Sequence, residues 1–142
     1  MDTASDMMHA GVQCVDESMT LAEAAQLMRD QEVGALPICG KDNRLHGIIT
    51  DRDIVTKCVA AGHEPADITA GQLASDRLVW VESDADASEV SQVMQDNRIR
   101  RVPVLDHHRL VGMISEADMA QHLDESALSE YVHAVYTAPP NN

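Results

Sequence analysis

Phenylalanine is absent from this chain, and its aromatic complement is one Trp and two Tyr among 142 residues. Hydrophobic residues still make up 44% of the sequence, too many for a disordered chain. The core is therefore expected to be aliphatic, built from Val, Ile, Leu, Ala and the eight Met, the last a flexible filler of irregular gaps. Basic residues are also few: ten Lys and Arg stand against 24 Asp and Glu, a formal net charge of −14. A charge of that sign repels phosphate backbones and argues against nucleic acid as a partner. No apolar run approaches the roughly 20 residues that span a bilayer, so no membrane partner is expected. The opening Met1-Asp2-Thr3-Ala4-Ser5-Asp6 lacks the basic and apolar regions of a signal peptide, and the expected location is cytoplasmic. Three cysteines, Cys14, Cys39 and Cys58, are too few for a disulfide framework.

What the chain does contain is a repeat. Thr20-Leu21-Ala22-Glu23 aligns with Asp86-Ala87-Ser88-Glu89, each an N-cap residue followed three later by Glu, the mark of a helix start. Cys14-Val15 aligns with Trp80-Val81, Met28 with Met94 and Pro37 with Pro103, all at a constant offset of 66. Beyond Pro103 the offset is 65, aligning Leu45 with Leu110 and Gly47 with Gly112. The lost residue falls between Gly40-Lys41-Asp42-Asn43 and Asp106-His107-His108, read as a hairpin turn, where length changes are tolerated.

Each repeat predicts a short strand (Val12 to Val15; Leu78 to Val81), then a helix with an apolar stripe of helical period (Leu21 to Gln31; Ala87 to Asn97). Two strands follow (Leu36 to Ile38 and Leu45 to Thr50; Val102 to Leu105 and Leu110 to Ser115), then a second helix (Asp51 to Ala61; Glu116 to Leu123). The fold class is α/β of the α+β type, with two β-α-β-β-α units. A unit of this size buries too little surface to stand alone, so the two are expected to pack sheet to sheet as one pseudo-two-fold globule. The expected boundaries are 1–69 for the first repeat, 70–123 for the second and 124–142 for a C-terminal helix and tail. That helix is expected to be capped by Asp124, with Ala127, Leu128, Tyr131, Val132 and Val135 as its apolar stripe.

The chemistry concentrates where the third strand enters the second helix. The first copy reads Gly47-Ile48-Ile49-Thr50-Asp51-Arg52-Asp53, the second Gly112-Met113-Ile114-Ser115-Glu116-Ala117-Asp118. Thr50-x-x-Asp53 and Ser115-x-x-Asp118 have the spacing of a helix N-cap with an acidic first turn. The same hydroxyl, together with free N–H groups at a helix start, suits a phosphate, and a carboxylate can accept from two ribose hydroxyls. Both readings stand at this level.

The duplication, the matched motif, and the strands at Pro37-Ile38 and Pro103-Val104 together resemble the CBS-domain family. Within it, the chain is similar to the small stand-alone CBS pairs of actinobacteria. The resemblance implies a non-enzymatic regulatory module that binds an adenosine-containing ligand, AMP foremost, in the cleft between repeats. It implies phosphate contacts at Thr50 and Ser115, ribose contacts at Asp53 and Asp118, added charge from Arg52, and a base held near Pro37, Ile38, Pro103 and Val104. It also implies a homodimer that acts on an unidentified effector protein.

A second constellation points to a metal- or redox-responsive module. Cys14 and Cys39 fall on strands expected to be neighbours, while His107 and His108 share a turn. Cysteine and neutral histidine are good Zn²⁺ ligands, and two Cys within about 7 Å can form a disulfide. Buried core thiols are the third reading. Arg98, Arg100, Arg101 and Arg109 form a basic cluster on an acidic chain, either a small-anion site or a row of solvated side chains. No Ser/His/Asp or Cys/His set recurs at matched positions, so no catalytic residues are expected.

Overall fold

Helix starts in this chain are written in side-chain oxygens, and the computed structural model, which describes residues 2–42, 44–74 and 78–137, shows them in use. Thr20 opens α2 (Leu21–Gln31) with a reciprocal capping box to Glu23, and Asp86 opens α5 (Ala87–Asn97) by accepting from the Glu89 N–H. Both helices span the residues expected from cap and stripe. Both end on a non-glycine residue in the left-handed region, Glu32 at φ 56° and Arg98 at φ 55°. Each of these residues turns its N–H back to carbonyls of the last turn, closing groups that the helix itself leaves open. The matched ends mark the two halves as one structural motif used twice.

The chain divides into two compact units, Gln13–Leu78 and a unit made of Met1–Val12 with Val79–Asn142. In the first, β2 (Val15–Asp16) runs parallel to β3 (Ala35–Cys39), which pairs antiparallel with β4 (Leu45–Thr50). In the second, β5 (Val81–Glu82) runs parallel to β6 (Arg101–Asp106), and β6 pairs antiparallel with β7 (Arg109–Ser115). The registers correspond: Val15 faces Ile38 as Val81 faces Val104, and both hairpins shift register at the next residue. The mixed α/β class and the repeated order are as expected.

Three differences stand out, the first two with local causes. The first strand of each repeat is shorter than expected and starts at Val15 and Val81. The next residue back in each register, Cys14 or Trp80, lies opposite Pro37 or Pro103, and proline has no N–H to give to a ladder. The helix expected over Asp51 to Ala61 is one α-turn, α3 (Asp51–Asp53), continued by a π-helix over Ile54–Val59. The wider winding is visible in Ala60 N–H donating to the Val55 carbonyl, 2.8 Å, and His63 N–H to that of Cys58, 3.0 Å. The Thr56 hydroxyl takes the Arg52 carbonyl, 2.8 Å, competing for a group the α-ladder would use.

Third, the N-terminal residues do not join the repeat that follows them. α1 (Ala4–Met7), capped by Thr3, and β1 (His9–Ala10) pack on the second repeat, where β1 pairs antiparallel with β7. The sheet orders are β2-β3-β4 and β1-β7-β6-β5. A linear cut at residue 69 therefore separates the motif copies but not the compact units.

Each unit encloses an aliphatic core. Val15, Leu21, Leu36, Ile38 and Ile49 are central to one, and Val90, Met94, Val102, Val104 and Ile114 to the other. A short α4 (Ala70–Leu73) closes the first unit. In the second, α6 (Glu116–His122) is followed by α7 (Glu125–Tyr136), capped by Asp124 as expected. The end of the expected C-terminal tail, 138–142, lies outside the described residues. No helix among the described residues is long and apolar enough to cross a membrane.

Candidate functional site at the strand-to-helix junctions

β4 and β7 each deliver a hydroxyl to the start of a helix, and each hydroxyl is answered by the aspartate three residues on. Asp53 N–H donates to Thr50 Oγ1, 3.1 Å, and Thr50 N–H donates to Asp53 Oδ2, 3.0 Å. In the second copy, Ser115 N–H and Oγ donate to Asp118 Oδ2 at 2.8 and 3.1 Å, and Asp118 N–H donates back at 3.4 Å. Thr50, Asp53 and Asp118 are buried, which is unusual for carboxylates unless they are paired. The cap reading is thus realised at both junctions.

The cap uses one carboxylate oxygen only. Asp53 Oδ1 faces Lys57 Nζ at 3.3 Å, and Asp118 Oδ1 faces His9 Nδ1 at 3.2 Å. These two side chains are far more exposed than the acids they meet: Lys57 is 53% and His9 75% exposed. Each junction thus holds a rigid carboxylate whose second oxygen is guarded by a side chain that can swing into water.

The two guards differ in origin. Lys57 is four residues from Asp53 on the same helix, an acid-to-base spacing legible in sequence. His9 arrives on β1, whose pairing places His9 opposite Met113 and Ala10 opposite Gly112. Gly112 makes this approach possible, since a β-carbon there would lie 2.7 Å from the His9 carbonyl oxygen and 2.5 Å from Met8 Sδ. No local pattern announces His9, because its partner lies at the far end of the chain.

The remaining candidates divide. Arg52 is exposed and precedes Asp53 in the chain. Pro37 and Pro103 lie on β3 and β6, while Ile38 and Val104 are completely buried within their own cores. Of the four arginines, Arg98 ends α5, Arg100 lies 4.5 Å over the Tyr136 ring, and Arg101 and Arg109 begin β6 and β7.

Cys14 and Cys39 are joined as a disulfide, Cα to Cα 5.4 Å, closing a separation of 25 residues. Of the three readings open for these sulfurs, the structure shows the disulfide. Cys58 is a buried free thiol whose S–H meets the His63 carbonyl at 3.5 Å. His107 and His108 occupy the β6–β7 turn of the other unit, with His107 on Asp106 at 2.7 Å. No group of three or more His, Cys, Asp or Glu that could hold a metal occurs among the described residues.

Residues 4–60 and 70–125 each match the family model for the CBS domain. The chain belongs to the CBS-domain family. Hypoxic response protein 1 of Mycobacterium tuberculosis is 53% identical to it over 135 residues, covering 95% of this chain and 94% of that protein. The CBS domain-containing protein YhcV of Bacillus subtilis is 34% identical, covering 89% and 91%. A solved structure of Hypoxic Response Protein I with two coordinated zinc ions superposes with a TM-score of 0.78 at 55% identity, over 87% of this chain and all of that one. A hexameric CBS-CP12 protein from bloom-forming cyanobacteria gives 0.78 at 29% identity, over 87% of this chain and 72% of that one. This chain is accordingly a tandem CBS pair.

Proposed function

We propose that this CBS pair is a non-enzymatic sensor that binds an adenine nucleotide, AMP foremost, at its strand-to-helix junctions. One observation carries the reading: a buried, cap-fixed aspartate stands at the same place in both repeats, its outer oxygen met by an exposed side chain, Lys57 or His9. An oxygen so held can exchange the Lys57 or His9 contact for ribose hydroxyls without disturbing the cap. Thr50, Ser115 and the adjoining N–H groups face the same junctions, where the positive end of the helix favours phosphate. Arg52 adds charge at the first copy, and Ala117 leaves the second without it. The base then rests near Pro37-Ile38 and Pro103-Val104, recognised partly by backbone groups of these strands.

The protein works in this reading as a cytoplasmic homodimer that transmits occupancy to an effector protein. It has no catalytic role, and its charge keeps it from nucleic acid. Sedimentation at micromolar concentration should give about twice 15.5 kDa.

The test is thermal unfolding with AMP, ADP, ATP, NAD and S-adenosylmethionine, using Asp53→Asn and Asp118→Asn, which keep the size of each side chain. A nucleotide at about 100 times its dissociation constant stabilises the fold by roughly 2.7 kcal/mol. The reading expects one nucleotide to raise the midpoint and at least one Asn variant to lose that rise. A flat response across the panel leaves the junctions as helix caps only.

The second reading, a redox-responsive module, is favoured by the Cys14–Cys39 disulfide. Disulfides are rare where thiols are kept reduced, so in a cytoplasmic protein this one would report oxidation. Zinc is held by four N, O or S donors in structural sites. With both sulfurs oxidised, the described residues of one chain do not fit that requirement. A zinc titration of the reduced protein, read by thiol alkylation, is the arm that follows from the zinc-bearing mycobacterial relative.

A further inference from the structure

The residues ahead of the first repeat are fixed on the second by their backbone. Ala4 N–H donates to the Ala85 carbonyl at 2.7 Å, Ser5 N–H to that of Ser83 at 3.0 Å, and Ala87 N–H returns to that of Asp2 at 3.1 Å. Ala4 and Met7 are buried in the core of that unit. β1 then pairs on β7, and His122 Nδ1 lies 2.7 Å from Asp2 Oδ2. The segment is a strap held along its length, so the side chain at position 9 moves about its own χ torsions on a fixed backbone.

What the strap delivers to the second junction is an imidazole. His9 Nδ1 stands 3.2 Å from Asp118 Oδ1, the oxygen that the cap leaves over. At the first junction the same place is taken by Lys57, four residues along from Asp53. An ammonium keeps its charge across the physiological range, whereas an imidazole gains its proton between pH 5 and 8. The other charged groups on the neighbouring elements are engaged elsewhere. Glu116 accepts from the Tyr136 hydroxyl, Asp6 caps α1 through Thr3, His122 meets Asp2, and Arg109 stands at the far end of β7. Asp118 is the charged group that His9 answers to.

We propose that His9 is a built-in competitor for the second nucleotide site, closing it in acid and releasing it as the pH rises, an inference that rests on the nucleotide reading of the junctions. Ribose hydroxyls and the imidazole need the same carboxylate oxygen of Asp118. Once protonated, the imidazole makes a charge-assisted bond to that oxygen, roughly twice as strong as the neutral one. Nucleotide affinity then falls with the fraction of time the oxygen is free, and a guard in place about nine-tenths of the time weakens it about tenfold. As the ring loses its proton, the exposed side chain swings into water and the site opens. The first site keeps the charge of Lys57 throughout and has no such dependence. One chain thereby carries one constant site and one gated by pH.

Asp53→Asn removes the first site, so calorimetric titration of that variant with AMP measures the second alone, at about pH 5.5 and about pH 8. Its dissociation constant is divided by that of the same variant carrying His9→Ala. The second ionisation of the phosphate, near pH 6, cancels in this ratio, as does the titration of His122. The ratio should be about tenfold at the acid pH and about twofold or less at the alkaline one. His9→Lys, a cation at both, should keep the site weak at both. A ratio near one, or one that does not change with pH, overturns the proposal and leaves the nucleotide reading standing. So does tighter binding in acid that His9→Ala abolishes, since His9 then holds the phosphate instead. Binding seen in Asp118→Asn but in neither Asp53→Asn chain also overturns the proposal alone. No binding by any of these chains overturns the nucleotide reading together with it.

Discussion

Reducing the Cys14–Cys39 bond is the perturbation whose magnitude the structure sets most directly. The bond closes a separation of 25 residues, and removing a loop of that length from the unfolded ensemble is worth about 3.5 kcal/mol on the chain-entropy relation. The loop contains β2, α2 and most of β3, so its release acts on the Gln13–Leu78 unit. At a few degrees per kcal/mol for a chain of this size, reduction should lower the thermal midpoint by roughly 10 °C. The assay is thermal and urea unfolding with and without reductant, alongside alkylation of the unfolded, non-reduced protein. One free thiol, that of buried Cys58, should be labelled before reduction and three after. Three free thiols in aerobically purified protein, or equal stability in both states, would refute the reasoning.

Tyr131 presents a buried hydroxyl with no hydrogen-bond partner among the described residues. Tyr131→Phe should therefore stabilise the fold by about 1 kcal/mol, read from the urea midpoint. Burial also pushes the Tyr131 phenol well above its ordinary range, and Tyr136 shifts the same way through its bond to Glu116. The unfolded chain then releases these protons near pH 10 while the folded chain holds them, so stability should fall from about pH 10 upward. Tyr131→Phe should show a shallower decline over that window. At Gly112 a β-carbon would collide with Met8 and the His9 carbonyl. Gly112→Ala should cost about 1–3 kcal/mol of stability and, by hydrogen exchange, loosen β1 on β7.

Features written in neighbouring residues were legible in sequence. α2 and α5 could be bounded to the residue because cap, stripe and exit lie within one helix. The Thr50/Asp53 and Ser115/Asp118 junctions followed from a motif present twice. What required distance in space was hidden. Whether Cys14 and Cys39 are thiols, ligands or a disulfide depends on a Cα separation that spacing does not contain. His9 reaches Asp118 only because β1 crosses to the other repeat, and nothing near His9 in the chain says so. The shortened first strands lay between these cases: Pro37 and Pro103 were in view, but their effect needs the register that sets them opposite Cys14 and Trp80. The π-winding of Ile54–Val59 was likewise hidden behind a pattern that reads as ordinary helix.

The central claim, that the two capped aspartates hold a nucleotide, is tested most directly by calorimetric titration of the purified chain with AMP beside Asp53→Asn, Asp118→Asn and the double variant. The account expects saturable binding by the wild-type chain, a loss of one site or of most affinity in a single variant, and no binding by the double variant. Heat of binding that persists unchanged in the double variant, or none from the wild-type chain with any adenine nucleotide, would contradict it.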